Sequence, residues 1–208
     1  HKLDAEEGKT ILETLQEHGI HVLTAPCGGR GRCGKCTVEV EHMGEVLACM
    51  TKVTDGMRIT IPEVQLRAQK SKIAENGTVI HYPADDGEGL DAACDIGTTT
   101  VDCHLIDGKK AEKLARFSAP SAQRSFGADV ISRIQASEAG KLEILKEQII
   151  FQIAQMLRTL QKKAGREEQI HRLAVVGNTV MRHLLVGISP VSIGVTPFMP
   201  QEFFGKEY

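Results

Sequence analysis

The sequence has no tryptophan, two tyrosines and six phenylalanines, so aromatic residues fill only 4% of its 208 positions. That scarcity argues against a platform on which unpaired bases could stack. No sign of charge dominates: 25 Lys and Arg stand against 27 Asp and Glu, for a formal net charge of -2. Neither nucleic acid nor an anionic membrane surface is expected as a partner. No apolar run reaches the length that spans a bilayer, and no signal-peptide pattern is visible. There is no G-x-x-x-x-G-K-[ST] phosphate loop, no internal repeat and no low-complexity tract. Hydrophobic residues reach 41%, enough for packed cores, and the length allows one or two domains.

Against those absences, cysteine is concentrated. Four of the six cysteines, Cys27, Cys33, Cys36 and Cys49, fall in APCGGRGRCGKC and the later EVLACM, spaced C-x5-C-x2-C-x12-C. Three cysteines on a glycine-rich loop with a fourth arriving later resemble the plant-type ferredoxin arrangement for a 2Fe–2S cluster, a one-electron carrier. Gly28, Gly29, Gly31 and Gly34 let such a loop wrap tightly and turn backbone N–H groups toward sulfur. Arg30, Arg32 and Lys35 either favour the reduced form of an anionic cluster or are solvated surface charge. Cys33 and Cys36 also form a zinc-type pair, but Cys27 and Cys49 do not make a second close pair. A three-disulfide scaffold is the other alternative. Ligand-like spacing in a chain that reads as cytoplasmic favours reduced thiols. Cys94 and Cys103 lie inside expected strands, where buried small apolar residues are the ordinary reading.

The pattern divides the chain in three. Residues 1–62 form the first domain: a helix from Glu7 to His18 with Gly19 as its cap, the cysteine loop, and strands at Thr37–Glu41 and Met57–Ile61, a β-grasp-like mix. Residues 63–89 are polar and turn-rich, a linker with one candidate strand at Thr78–His81. Residues 90–208 read as α/β. Strands are expected at Ala92–Ile96, Val101–Ile106 and Lys113–Ser118, and helices at Ala128–Ala136 and Lys141–Lys163. A fourth strand at Leu173–Val176 and a helix from Asn178 to Val186 complete the order β-β-β-α-α-β-α. Leu142, Leu145, Ile149, Ile153, Met156 and Leu160 share one face of the long helix. Both ends suggest a piece of a longer chain.

The second motif is Asp95-Ile96-Gly97-Thr98-Thr99-Thr100, between two expected strands. Gly97 permits close backbone approach, and the threonine hydroxyl and N–H groups suit phosphate. Asp95 at the strand end suits a hydrated Mg2+ ion. Read alone, the segment is equally an ordinary polar turn.

DIGTTTV resembles the first phosphate motif of the actin, sugar-kinase and heat-shock ATPase superfamily. The whole combination resembles the reductive activators of corrinoid proteins. Three blocks carry the match: APCGGRGRCGKC with LACMT; CDIGTTTVDCHLID with FGADVISRI; and VVGNTVMRHLLVGISPVSIGVTPFMP. The resemblance implies a 2Fe–2S ferredoxin-like domain followed by an incomplete, ribonuclease-H-like ATPase lobe. By the same resemblance, Cys27, Cys33, Cys36 and Cys49 would be cluster ligands. Asp95, Gly97, Thr98 and Thr99 would face ATP phosphates and Mg2+, and Gly177, Asn178 and Thr179 would line the same cleft. Asn178 or Thr179 is otherwise simply a helix cap. The implied activity is ATP-dependent transfer of one electron to Co(II) of a corrinoid protein, restoring the Co(I) that accepts a methyl group. The implied partners are that corrinoid protein and a low-potential electron donor, with room for a homodimer. The Cys36–Cys49 gap and the linker are short for the family, and the second ATPase lobe is absent.

Two other readings stand beside this one. A 2Fe–2S ferredoxin fused to a non-catalytic α/β interaction module leaves DIGTTT and Gly177-Asn178-Thr179 without a use. A sugar or acetate kinase relative leaves the cysteines without one. His104, His171 and His183 read as structural or surface residues, and His42 as a weak candidate partner contact.

Overall fold

The computed structural model describes residues 2–20, 22–61 and 89–204. The candidate strand at Thr78–His81 lies outside them.

The first unit packs one helix on one small sheet. Helix α1 spans Ile11–Glu17. It starts later than the apolar spacing suggests, because Gly8 has φ +89° and a capping box fixes Thr10 as the first turn's anchor. Thr10 Oγ1 accepts from Glu13 N at 3.2 Å, and Glu13 Oε2 accepts from Thr10 N at 2.9 Å. Strands β1 (Thr37–Val40), β2 (Gly44–Leu47) and β3 (Ile59–Thr60) form an antiparallel sheet in the order β2-β1-β3. The sequence pattern did not mark β2. Gly44 and Glu45 are exposed and the strand is an edge, so no apolar alternation identifies it. Ile11, Leu12, Leu15, Val38 and Val40 make the core, and Cys36 and Cys49 are buried in the same cluster.

The second unit is a four-stranded mixed sheet in the order β6-β5-β4-β7. Strands β4 (Leu90–Ile96), β5 (Thr100–Asp107) and β6 (Glu112–Pro120) run antiparallel, while β7 (Ile170–Gly177) lies parallel to β4. A parallel pair needs a crossover. It is supplied by α2 (Val130–Ala136) and α3 (Leu142–Ala164), and α4 (Thr179–Val186) follows β7. Along α3, Leu145, Ile149, Ile153, Met156 and Leu160 are buried against the sheet, as their spacing requires; Leu142 is partly buried at the edge of that core.

Cys94 and Cys103 are buried as expected, but they are not separate thiols. The β4–β5 register sets them directly opposite one another, with Cα atoms 4.2 Å apart, and they are joined in a disulfide. The turn at Gly97–Thr99 fixes that register, so the pairing follows from the hairpin rather than from the cysteine spacing.

On β5, Asp102 accepts from Arg116 Nε at 3.0 Å and Nη2 at 2.7 Å, and from Ser118 Oγ. Burial opposes ionisation of Asp102, but the Arg116 and Ser118 hydrogen bonds outweigh it and hold the carboxyl below its usual value of 3.8. A carboxyl depressed on folding stabilises above its unfolded pKa and loses that contribution as pH falls through the folded value. Asp102→Asn is therefore expected to cost on the order of 1 kcal/mol at neutral pH, since the pair is partly solvated. The difference from the parent should shrink steadily below about pH 4. Urea midpoints measured across that range check it.

Candidate functional site

The cysteine loop lies between α1 and β1. Gly28, Gly29, Gly31 and Gly34 all have φ between +63° and +80°, so the loop winds through left-handed positions that glycine accepts without strain. Cys36 enters β1, and Cys49 arrives in the turn after β2. That turn is tied back by Ala48 N donating to Cys36 O and Leu12 N donating to Ala48 O, both at 2.9 Å. Gly31 admits the turn closely: a Cβ there would sit 2.7 Å from Met50 Sδ.

Cys33 is a side-chain partner of Cys27 and Cys36 of Cys49, and Cys27 is near enough to Cys49 for their charges to interact. Burial works against ionisation of Cys27, but the Cys33 side chain and the backbone N–H groups of Cys33, Arg32 and Arg30 donate to its sulfur and bring its pKa down to about 7. Burial pushes the Cys49 thiol up to about 11, reinforced by the hydrogen bond and charge of Cys36 and opposed by the Gly31 N–H. Among the described residues, no three of His, Cys, Asp and Glu gather around one point as a single metal ion requires. A two-iron cluster makes a different demand, two thiolates for each iron. Cys27 with Cys33, and Cys36 with Cys49, match that demand, and N–H groups aimed at Cys27 and Cys49 are of the kind that stabilise anionic sulfur. The donor set fits a 2Fe–2S cluster.

The β4–β5 turn and the β7–α4 junction lie side by side. Gly97 N donates to Thr100 O at 2.9 Å, and a Cβ on Gly97 would meet that oxygen at 2.7 Å. Gly177 pairs with Ile96 across the parallel strands, and a Cβ there would come within 2.9 Å of Ile96 O. Asn178 does two things at once. Its Oδ1 accepts from Met181 N at 3.0 Å and caps α4, while its Nδ2 donates to Thr98 Oγ1 at 3.2 Å. The capping and the cleft-lining readings of Asn178 are therefore compatible. Asp95 and Thr99 are exposed beside this junction, and Thr179 is half-buried in the first turn of α4.

A segment that carried no site assignment in the sequence joins the two units. It comprises the 3₁₀ turn Ala122–Phe126 and the following Gly127 and Ala128. Gln16 Nε2 donates to Ser125 O at 3.0 Å, Arg124 Nη2 to Thr24 Oγ1 at 2.9 Å, and Ala128 N to Pro26 O at 3.1 Å. Arg30, in the cysteine loop, donates to Gln135 Oε1 on α2. A cleft of about 280 Å³ opens here, with Gly29, Arg30, Cys49, Ser125, Gln135 and Lys141 among its walls. The sequence offered one signal for these residues, FGADVISRI, but no chemistry-bearing spacing within it.

His42, His104, His171 and His183 contribute no side chain to either site. His183 is buried, with Nδ1 2.8 Å from Thr179 O and Nε2 accepting from Glu202 N at 3.3 Å. His42 and His171 are exposed, and His104 lies 3.5 Å from Asp102. No described helix is long and apolar enough to cross a membrane.

Two family models match the chain. One described as a 2Fe-2S iron-sulfur cluster binding domain covers residues 1–63, and one described as the RACo middle region covers residues 90–205. A curated relative, the corrinoid activation enzyme RamQ of Eubacterium limosum, is 26% identical over 275 residues, covering 95% of this chain and 46% of the relative. That alignment is longer than the chain, so the relative carries inserted segments. A solved structure, that of a reductive activator for corrinoid,iron-sulfur protein, superposes with a TM-score of 0.53 at 23% identity. It covers 96% of this chain and 49% of the other, and shows a shared fold. The chain spans about half the length of the relatives it matches.

Proposed function

From the premise that this chain belongs to the family of the RACo middle region, joined to a 2Fe–2S domain, we propose that it is the electron-carrying and phosphate-binding part of a reductive activator of a corrinoid protein. The cluster, when bound, supplies one-electron transfer. Cys27, Cys33, Cys36 and Cys49 hold it, and N–H groups of the glycine-rich loop set its potential. The acceptor is Co(II) of the partner corrinoid protein, which becomes Co(I). A low-potential donor replaces the electron.

The second lobe is the nucleotide side. Thr98 and Thr99 would present N–H and hydroxyl groups to the phosphates of ATP, Gly97 lets the backbone approach them closely, Asp95 would orient the Mg2+ hydration shell, and Gly177, Asn178 and Thr179 close the other wall. This assignment takes the first unit as a ferredoxin-like β-grasp and the second as a ribonuclease-H-like half, with the cytoplasm as its compartment. The observation that carries the reading is the glycine-rich loop of Cys27, Cys33 and Cys36 tied to the turn of Cys49, in the same chain as the Thr98–Asn178 contact beside Gly97 and Gly177. A ferredoxin with an inert appendage has no need of the second feature.

ATP hydrolysis by the full-length protein tests it. The expected rate rises when a Co(II) corrinoid protein is added. Turnover indifferent to the corrinoid protein contradicts the proposal.

A further inference from the structure

Arg133 is 0% exposed, among the largest fully buried side chains, yet no carboxylate bonds to it. The nearby Asp129 is occupied with Ser132, accepting from its N at 2.8 Å and its Oγ at 3.0 Å. Arg133 instead donates to neutral acceptors: Thr98 O, Gly127 O at 3.5 Å, Gln123 Oε1 at 3.2 Å and Met181 Sδ at 2.8 Å. Its Nε has no partner among the described residues. Asp129 acts on the guanidinium only through its charge and makes no hydrogen bond to it, and a buried guanidinium so weakly compensated is costly, so its position calls for a use. Burial lowers its pKa to about 10, which leaves it charged at neutral pH.

The acceptors show what that use is. Thr98 belongs to the β4–β5 turn, and Gly127 belongs to the segment that touches the cysteine loop. That segment is tied at both ends by backbone bonds. Ser121 N donates to Thr99 O at 2.9 Å, and Ala128 N donates to Pro26 O at 3.1 Å, one residue before Cys27. Phe126 O lies only 3.3 Å from where a Cβ on Gly28 would stand. One contiguous run therefore leads from Thr98 through Arg133, Gly127 and Ala128 to Pro26 and Cys27.

We propose that Arg133 is a positioning residue that couples occupancy of the β4–β5 turn to the geometry of the cysteine loop. This rests on the reading of that turn as a phosphate site. A polyphosphate at Thr98 and Thr99 places negative charge beside the guanidinium and competes with the two carbonyls it bridges. The Gly127–Ala128 peptide shifts in answer, and Pro26 carries the shift to Cys27. The test reads one site while perturbing the other.

The experiment uses the full-length, cluster-loaded protein, with ATP or ADP as probe, fluorescent-nucleotide titration for binding, and EPR line shape and midpoint potential of the cluster as readouts. The parent protein is expected to bind nucleotide and show a nucleotide-dependent change in both cluster readouts. Arg133→Gln should retain the cluster and lose that change. Arg133→Lys should lose it too, because Nη1 anchors the guanidinium on Gln123 Oε1 and Met181 Sδ while Nη2 reaches both carbonyls, and one ammonium group does not do both. Arg124→Met, which removes the Thr24 contact from the opposite side, should weaken it by at least half and decides the matter if Arg133 variants do not fold. A merely structural role would lower cluster content or stability but leave the response intact in the folded protein. Retention of the response in Arg133→Gln, or its restoration in Arg133→Lys, overturns the inference, as does its persistence at full size in Arg124→Met. A parent protein that binds ATP with no change at the cluster overturns the inference and spares the phosphate-site reading. A parent protein that binds no ATP overturns both.

Discussion

Cys36→Ser will leave the purified chain without the visible absorption of an iron–sulfur cluster. Cys36 is 1% exposed, and it pairs with Cys49 at the point where β1 leaves the loop. A serine hydroxyl there is a poor replacement for thiolate, because iron–sulfur clusters are held by thiolates. Removing even an outer partner of a bound metal commonly costs about 10- to 100-fold in affinity. Loss of a direct ligand should therefore cut iron and acid-labile sulfide at least about tenfold. Cys94→Ser is the control, since Cys94 sits in β4 bonded to Cys103 and away from the loop. Iron and sulfide assays on anaerobically purified protein decide it. Equal iron in Cys36→Ser and the parent would remove Cys36 from the ligand set, and iron loss in Cys94→Ser alone would move the centre elsewhere.

Gly127→Ala carries the second large effect, expected at about 3 kcal/mol or more of lost stability. Gly127 has φ +143° and ψ +154°, a region that only glycine occupies comfortably. An added Cβ would also stand 2.1 Å from Ser132 Cβ and 3.4 Å from Ser132 Cα, so rotating a side chain does not relieve the overlap. Ser132 is itself held by Asp129 at the start of α2. The strain consequently reaches the helix that carries Arg133. Gly140→Ala gives the contrast: φ is +81°, but nothing lies within 4 Å of the new Cβ, so only about 1–2 kcal/mol of left-handed strain is expected. Urea unfolding of both variants checks the order. A Gly127→Ala cost no larger than that of Gly140→Ala would mean that the backbone there is not held as described.

Much of this architecture is legible in the residues because local rules and tertiary demands agree. The long helix α3 shows its buried face through Leu145, Ile149, Ile153, Met156 and Leu160, and Gly165 at φ +62° ends it. The β4–β5 hairpin is legible from DIGTTT, whose Gly97 has no room for a side chain against Thr100 O. The winding of the cysteine loop is legible from its glycines, since Gly28, Gly29, Gly31 and Gly34 all take the left-handed conformations that their concentration suggests. Other features depend on neighbours that spacing does not reveal. Strand β2 has an exposed, polar start and exists because β1 offers its edge. The Cys94–Cys103 bond is a consequence of hairpin register. Arg133 resembles any helical arginine in the sequence; its acceptors come from three separate segments: Thr98, the run that holds Gln123 and Gly127, and Met181 on α4. The same holds for Gln16, a polar face residue of a short helix until Ser125 arrives to meet it.

Under the proposed function, an electron would leave the cluster for cobalt under the control of ATP. The direct measurement is anaerobic rapid-mixing spectroscopy of the full-length protein, reduced beforehand, against a Co(II) corrinoid protein with and without Mg-ATP. Cluster reoxidation and Co(I) formation are expected to proceed together, one electron for one cobalt, and omission of ATP is expected to suppress both. A cluster that stays reduced in the presence of ATP, or one that reduces cobalt equally well without it, would rule out ATP-controlled electron transfer to cobalt.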